Sequence, residues 1–191
     1  DYGRALKVAQ LPEAIARFFP IRTRILDLSS STPVSEGDTT ITPASPAGTP
    51  PALLLPVLRG VLGAIREIRE AIAQTELRMV GGSVLIIYEG DPTVLAKALD
   101  TQEEAVIADA VQQSRQSDQG GATITSVVVG TAGAKPTPAY VVKVIDFAHT
   151  ILKDGIGPDE GVVLGLDTTI RLLEGRIKEV EEALGSVESV A

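Results

Sequence analysis

The sequence contains no cysteine. That excludes a disulfide framework and any zinc site built on thiolates, and it fits a reducing compartment such as the nucleus or cytoplasm. Aromatic residues make up only 3%, so a core must be filled by Leu, Ile, Val and Ala. No apolar run reaches the length of a membrane span, so no membrane association is expected. The opening DYGRALKVAQ holds neither an initiator Met nor the apolar centre of a secretory signal. A chain that opens on Asp1 reads as a piece of a longer one. Positive charge is also scarce: 17 Lys and Arg stand against 25 Asp and Glu, a formal net charge of -8. A nucleic-acid binder normally carries a basic face, so this balance argues against direct nucleic-acid contact. It also disfavours a polyanionic ligand, because an acidic surface repels phosphate. What is present is ordinary globular composition, 44% hydrophobic and 22% charged over 191 residues, enough for one domain with a core.

The organisation follows from apolar spacing. Pro12 and Glu13 open a short helix through Ala14, Ile15 and Phe18, and Pro20 ends it, so residues 1–28 form a helix-rich first segment. Residues 29–52, rich in Ser, Thr, Pro and Gly, read as a disordered insertion. Leu54, Leu58, Val61, Ile65, Ile68 and Ile72 form one stripe and predict a helix over 53–77. Residues 78–90 switch to a short apolar run that predicts a buried strand. Residues 93–112 are helical in composition, 113–122 polar and loop-like, 124–129 a further strand candidate, and 130–138 a turn-rich gap. Tyr140 to Ile145 is a strong strand candidate that ends in Asp146. Leu166, Ile170, Leu173, Ile177, Val180 and Leu184 predict a last helix over about 163–184, with Glu174 and Lys178 as a surface pair one turn apart.

Two stretches carry chemistry. In VVKVIDFAHT, residues 141–150, an acidic residue stands at the C-terminal end of a strand, where side chains project into an open crevice. Asp-Phe also begins the protein-kinase triplet whose Asp holds Mg²⁺ against ATP phosphates. The plain alternative for Asp146 is a carboxylate that caps a loop. In RMVGGSVLIIYEGD, residues 78–91, a glycine pair permits close backbone approach and the Ser83 hydroxyl can reach phosphate or metal-bound water. The alternative there is a simple turn into a strand.

Together these residues carry a resemblance. The order RM-x-G-x-S-x-L-x-x-YEG, then IDFAHT, then GPDEG and GLDT resembles the inositol polyphosphate kinase family, and the opening DYGRAL is similar to a Tyr-Gly-Arg segment of that family. The Gly-Ser-Val-Leu wording and the helix GLDTTIRLLEGRIKEV are most similar to the fungal multikinase branch. The resemblance covers nearly the whole chain except 29–52 and about 100–138. It implies an α+β, protein-kinase-like fold in two lobes with ATP between them. Residues 53–191 would be the C-terminal lobe, with the N-terminal lobe absent from this chain. By the same resemblance Asp146 is the metal-binding residue, for Mg²⁺. Ser83 lies by the nucleotide phosphates and His149 near the inositol phosphate. A hydrogen-bonded loop histidine is the alternative for His149. The family's Ser-Ser-Leu-Leu is here Gly82, Ser83, Val84 and Leu85, one hydroxyl fewer. Asp159, Glu160 and Gly161 match the family as loop-shaping and helix-capping residues rather than catalytic ones.

The family's Pro-x-x-x-Asp-x-Lys-x-Gly hallmark, whose Asp and Lys handle the substrate hydroxyl and phosphates, has no counterpart here. No Asp in the chain is followed two residues later by Lys. The expectation is therefore part of an enzyme that transfers the γ-phosphoryl group of ATP to a hydroxyl of an inositol phosphate, inactive by itself. The competing expectation is a non-catalytic module working through protein contacts. The association of fungal multikinases with transcriptional regulators keeps that alternative open.

Overall fold

The structure is a computed structural model that describes residues 6–22, 48–102 and 138–188. The expectations for 113–122, for 124–129 and for most of the 29–52 insertion lie outside the described residues.

Helix α1, Leu11–Phe18, has Pro12 in its first turn and an exposed Glu13–Arg17 ion pair at 2.7 Å. Helix α2, Pro51–Ala73, buries Leu54, Leu58, Val61, Ile65 and Ile72 of the expected stripe, and Val57 and Leu62 beside it. It starts two residues earlier than the stripe suggests, because Pro at the first helical position leaves no N–H to satisfy. Helix α3 begins at residue 92 and is described to residue 102. Asp91 caps it, with Oδ1 accepting the amides of Thr93 at 2.8 Å and Val94 at 3.1 Å. Helix α4, Glu160–Glu188, buries Leu166, Leu173 and Val180.

Helices α2 and α4 form the main packing pair. Their ion pairs run in opposite order along the two helices: Arg59–Glu181 at 2.9 Å, Arg66–Glu174 at 2.7 Å and Arg69–Asp167 at 2.9 Å. The helices are therefore antiparallel. The Glu174–Lys178 pair expected along one helix is replaced, since Glu174 reaches across to Arg66 instead. Arg69 holds the Asp167 carboxyl below its ordinary range, first by hydrogen bonding and then by charge.

Two short antiparallel ladders lie against this pair. Strand β1, Leu77–Met79, pairs with β4, Thr150–Leu152, and β2, Ser83–Tyr88, pairs with β3, Tyr140–Ile145. Ile86, Tyr88, Tyr140, Val142 and Val144 pack against the core. The alternate residues face away, and Ile87 is 53% exposed. The apolar run 78–90 is thus a half-exposed strand interrupted after Met79, not the fully buried strand its composition suggests. Among the described residues, helices pack on one face of the β2–β3 ladder.

The other correction concerns the end of the 29–52 stretch. Thr49 is 2% exposed, its amide donates to Pro20 O at 2.8 Å, and its carbonyl accepts from Arg22 N at 2.8 Å. Gly48, at φ +113°, makes this possible: a Cβ there would sit 2.7 Å from the Ile21 carbonyl carbon. Residues 48–52 therefore belong to the folded body rather than to a solvated linker.

Candidate functional site

The two ladders are formed by the same two chain segments, with a break between them. Met79 pairs with Thr150 on one side and Ser83 with Ile145 on the other. Three residues, 80–82, therefore face four, 146–149. This is a bulge with its extra residue on the Asp146 side, a feature that re-aims side chains and is common beside functional sites. Val80 N donates to His149 O at 3.2 Å and bridges the break.

The bulge explains the backbone at its head. Asp146 has φ 68° and ψ 53°, the only left-handed residue other than glycine among those described. That conformation costs a non-glycine residue about 1 kcal/mol. Opposite it, Gly81 has φ +76°. A single turn of 3-10 helix, Phe147–His149, then leads into β4.

All three residues singled out from the sequence meet at this bulge. Asp146 and His149 lie on its longer side. Ser83 begins β2 opposite Ile145, the residue before Asp146. All three are exposed. The Asp146 side chain makes no cap hydrogen bond to the turn it opens, and among the described residues neither Asp146 nor His149 has a side-chain hydrogen-bond or ion-pair partner. Lys143, which pairs with Leu85, adds a positive charge on the exposed face of β3.

Residues that sequence reasoning did not single out hold the far side of the bulge. Arg78 donates from Nη1 to the carbonyl oxygens of Gly157 at 2.9 Å and Pro158 at 3.1 Å, and from Nη2 to that of Ile156 at 2.5 Å. The Glu76 carboxylate accepts the amides of Gly155 at 2.8 Å and Gly157 at 3.2 Å. Asp159 caps α4 as expected, Oδ1 accepting from Gly161 N at 3.1 Å and Val162 N at 3.2 Å, and its Oδ2 also accepts from Met79 N at 3.0 Å. These amides, that of Met79 first, hold the Asp159 carboxyl below its ordinary range. The sequence marked this side by the arginine and methionine ahead of the glycine pair and by the GPDEG motif that contains Asp159, but not by Glu76 or by the partners these residues take.

A cleft of about 340 Å³ opens behind the start of β2, between α2 and α4, lined by Ile68, Ile72, Met79, Ser83, Val144 and Leu166 among others. Among the described residues no charged side chain lines it, and Asp146 and His149 are not among its lining residues. Its lining is largely apolar, with the hydroxyls of Ser83 and Thr169 among the residues that border it. Among the described residues, no group of three or more His, Asp or Glu side chains is placed to hold a metal alone. A single exposed carboxylate suits a hard cation held mainly by phosphate oxygens and water. Among the described residues no helix is long and apolar enough to cross a membrane.

Comparison with known proteins bears on the family and the fold. The family model described as inositol polyphosphate kinase matches residues 52–174. Human inositol hexakisphosphate kinase 1 is 30% identical over 124 residues, covering 60% of this chain and 28% of that protein. Mouse inositol hexakisphosphate kinase 3 is 28% identical over 180 residues, covering 90% of this chain and 31% of that protein. The chain thus spans less than a third of the length of these relatives. The crystal structure of an inositol phosphate multikinase from S. cerevisiae, in complex with ADP and Mn²⁺, superposes with a TM-score of 0.50 at 19% identity, over 92% of this chain and 49% of that one. The fold is the α+β kinase fold of that protein, present here in part. With its family model matched across more than half its length, the chain belongs to the inositol polyphosphate kinase family.

Proposed function

We propose that this chain is the C-terminal part of an ATP-dependent kinase that transfers the γ-phosphoryl group to a hydroxyl of an inositol phosphate. The observation that carries the reading is the bulge, which brings Ser83, Asp146 and His149 to one exposed break between two ladders. In this reading Asp146 supplies the carboxylate for a divalent cation, Mg²⁺ in the cell. When bound, that ion neutralises charge on the nucleotide phosphates. The Ser83 hydroxyl donates to a phosphate oxygen, and the two glycines before it let the backbone approach closely. The His149 imidazole, unpartnered among the described residues, is available to hydrogen-bond the inositol phosphate. Phosphoryl transfer depends on position and charge more than on covalent help from the protein. A net charge of -8 therefore leaves much of the phosphate neutralisation to the cation and to groups beyond this chain.

The test is Asp146→Asn in the intact parent protein, assayed with ATP, Mg²⁺ and inositol trisphosphate. Asn keeps the shape and tolerates left-handed backbone but removes the anion. Turnover should fall about 100-fold or more, the scale for loss of a group that stabilises transition-state charge, with the melting temperature unchanged. Near-normal turnover would remove Asp146 from the mechanism.

A further inference from the structure

We propose that Asp159 is a positioning residue for Asp146: its carboxylate pins the end of β1 to the start of α4 and so fixes the bulge in which Asp146 takes its left-handed conformation. The proposal deepens the reading above, and its consequence for metal binding rests on that reading.

A left-handed aspartate persists only where its surroundings over-determine it. On one side of the bulge the six-pair β2–β3 ladder, packed on the helices, is anchor enough. On the other side β1–β4 has three pairs, and β4 is poorly packed, with Ile151 65% and Leu152 71% exposed. A two-stranded ribbon of that size is marginal without outside support. The support comes through β1. Leu77 and Met79 are buried, Lys153 N donates to Glu76 O at 3.2 Å, and Met79 N donates to Asp159 Oδ2 at 3.0 Å. Met79 is the residue at which the short ladder stops and the bulge begins. The bond to Asp159 therefore fixes the edge of the break relative to α4, one of the two helices that form the core.

Asp159 divides its two tasks between its oxygens. Oδ1 takes the cap amides and Oδ2 takes Met79. Asn caps a helix as well as Asp, but it has one carbonyl oxygen and a donor-only amide nitrogen. In Asp159→Asn the capping oxygen can stay, and the nitrogen then meets the Met79 N–H donor to donor. The substitution separates helix capping from bulge positioning.

The experiment compares the 191-residue chain with its Asp159→Asn variant by amide hydrogen exchange. The amides of Val80 and Thr150, which donate to His149 O and Phe147 O, should exchange ~10-fold faster or more, as for local opening, while amides in the middle of α4 and in β2–β3 keep their protection. Unchanged protection at Val80 and Thr150 overturns the proposal. So does uniform acceleration that includes α4 and β2–β3, which is the mark of a merely structural cap. A second arm titrates Mn²⁺ against the intact parent protein in the presence of ADP, read by the electron paramagnetic resonance of free Mn²⁺. Asp159→Asn should weaken binding ~10- to 100-fold, the usual effect of losing a group that orients a metal ligand, and Asp146→Asn should remove it. If Asp146→Asn binds Mn²⁺ as well as the unaltered parent protein, the metal reading of Asp146 fails, and the exchange result alone decides the positioning role.

Discussion

Arg176, on α4, donates from Nε at 3.1 Å and from Nη2 at 2.7 Å to the carbonyl oxygen of Phe19, the residue that ends α1. Both residues are buried, Phe19 completely and Arg176 to 8% exposure. The guanidinium satisfies a carbonyl that α1 leaves without a helical partner and ties the first segment of the chain to the last helix. Arg176→Ala should therefore destabilise the chain by about 2 kcal/mol or more, since a buried acceptor is stranded and the aliphatic stem is lost. Arg59→Ala, which removes an exposed ion pair with Glu181, should cost under about 1 kcal/mol. Urea denaturation of the two variants separates them, and equal losses would contradict the assignment.

Two helical glycines should respond in opposite directions. A Cβ on Gly175 meets nothing within 4 Å, so Gly175→Ala should stabilise by roughly 0.5–1 kcal/mol through helix propensity alone. A Cβ on Gly60 would collide with the Tyr140 ring, where β3 rests on α2. Gly60→Ala should therefore destabilise by about 1–3 kcal/mol despite the same propensity gain. Thermal unfolding of both reads the sign directly.

Acid should unfold the chain progressively. Asp159 is lowered from 3.8 chiefly by the Met79 amide, Asp91 by the Val94 and Thr93 amides, and Asp167 by its hydrogen bond with Arg69. A carboxylate with a depressed folded-state pKa binds its proton more readily when unfolded. Its contribution is present above the unfolded value near 3.8 and is lost as pH falls through the folded value. The urea midpoint should hold near pH 5 and drop steeply below about pH 4. Asp159→Asn should flatten part of that slope. A midpoint that rises on acidification would refute the sign.

The isolated 191-residue chain should show no measurable turnover with ATP, Mg²⁺ and inositol trisphosphate. No Asp-x-Lys segment is present, and loss of the groups that handle the attacking hydroxyl removes most of a phosphoryl transfer. Robust turnover by the purified chain would show that the essential groups lie elsewhere.

The sequence by itself determined much of this. The stripes Leu54 to Ile72 and Leu166 to Val180 specify the buried faces of α2 and α4, because burial selects residues at helical spacing. YVVKVI specifies β3 and its end at Asp146. The motif order around Ser83, Asp146 and His149 specifies the family. All of these are local patterns, written in neighbouring residues.

Only the tertiary structure decided the rest. That residues 80–82 face 146–149, with one residue extra, depends on register between segments more than sixty positions apart. Register follows from which face the helices bury, and no local pattern states it. The same holds for Glu174, whose partner became Arg66 on another helix. It holds for Arg78 and Asp159, whose partners lie about eighty positions away. A side chain's hydrogen-bond partner is chosen by what packing brings within about 3 Å. Local sequence can therefore mark the carboxylate of Asp146, but only the packed chain can hold it in place.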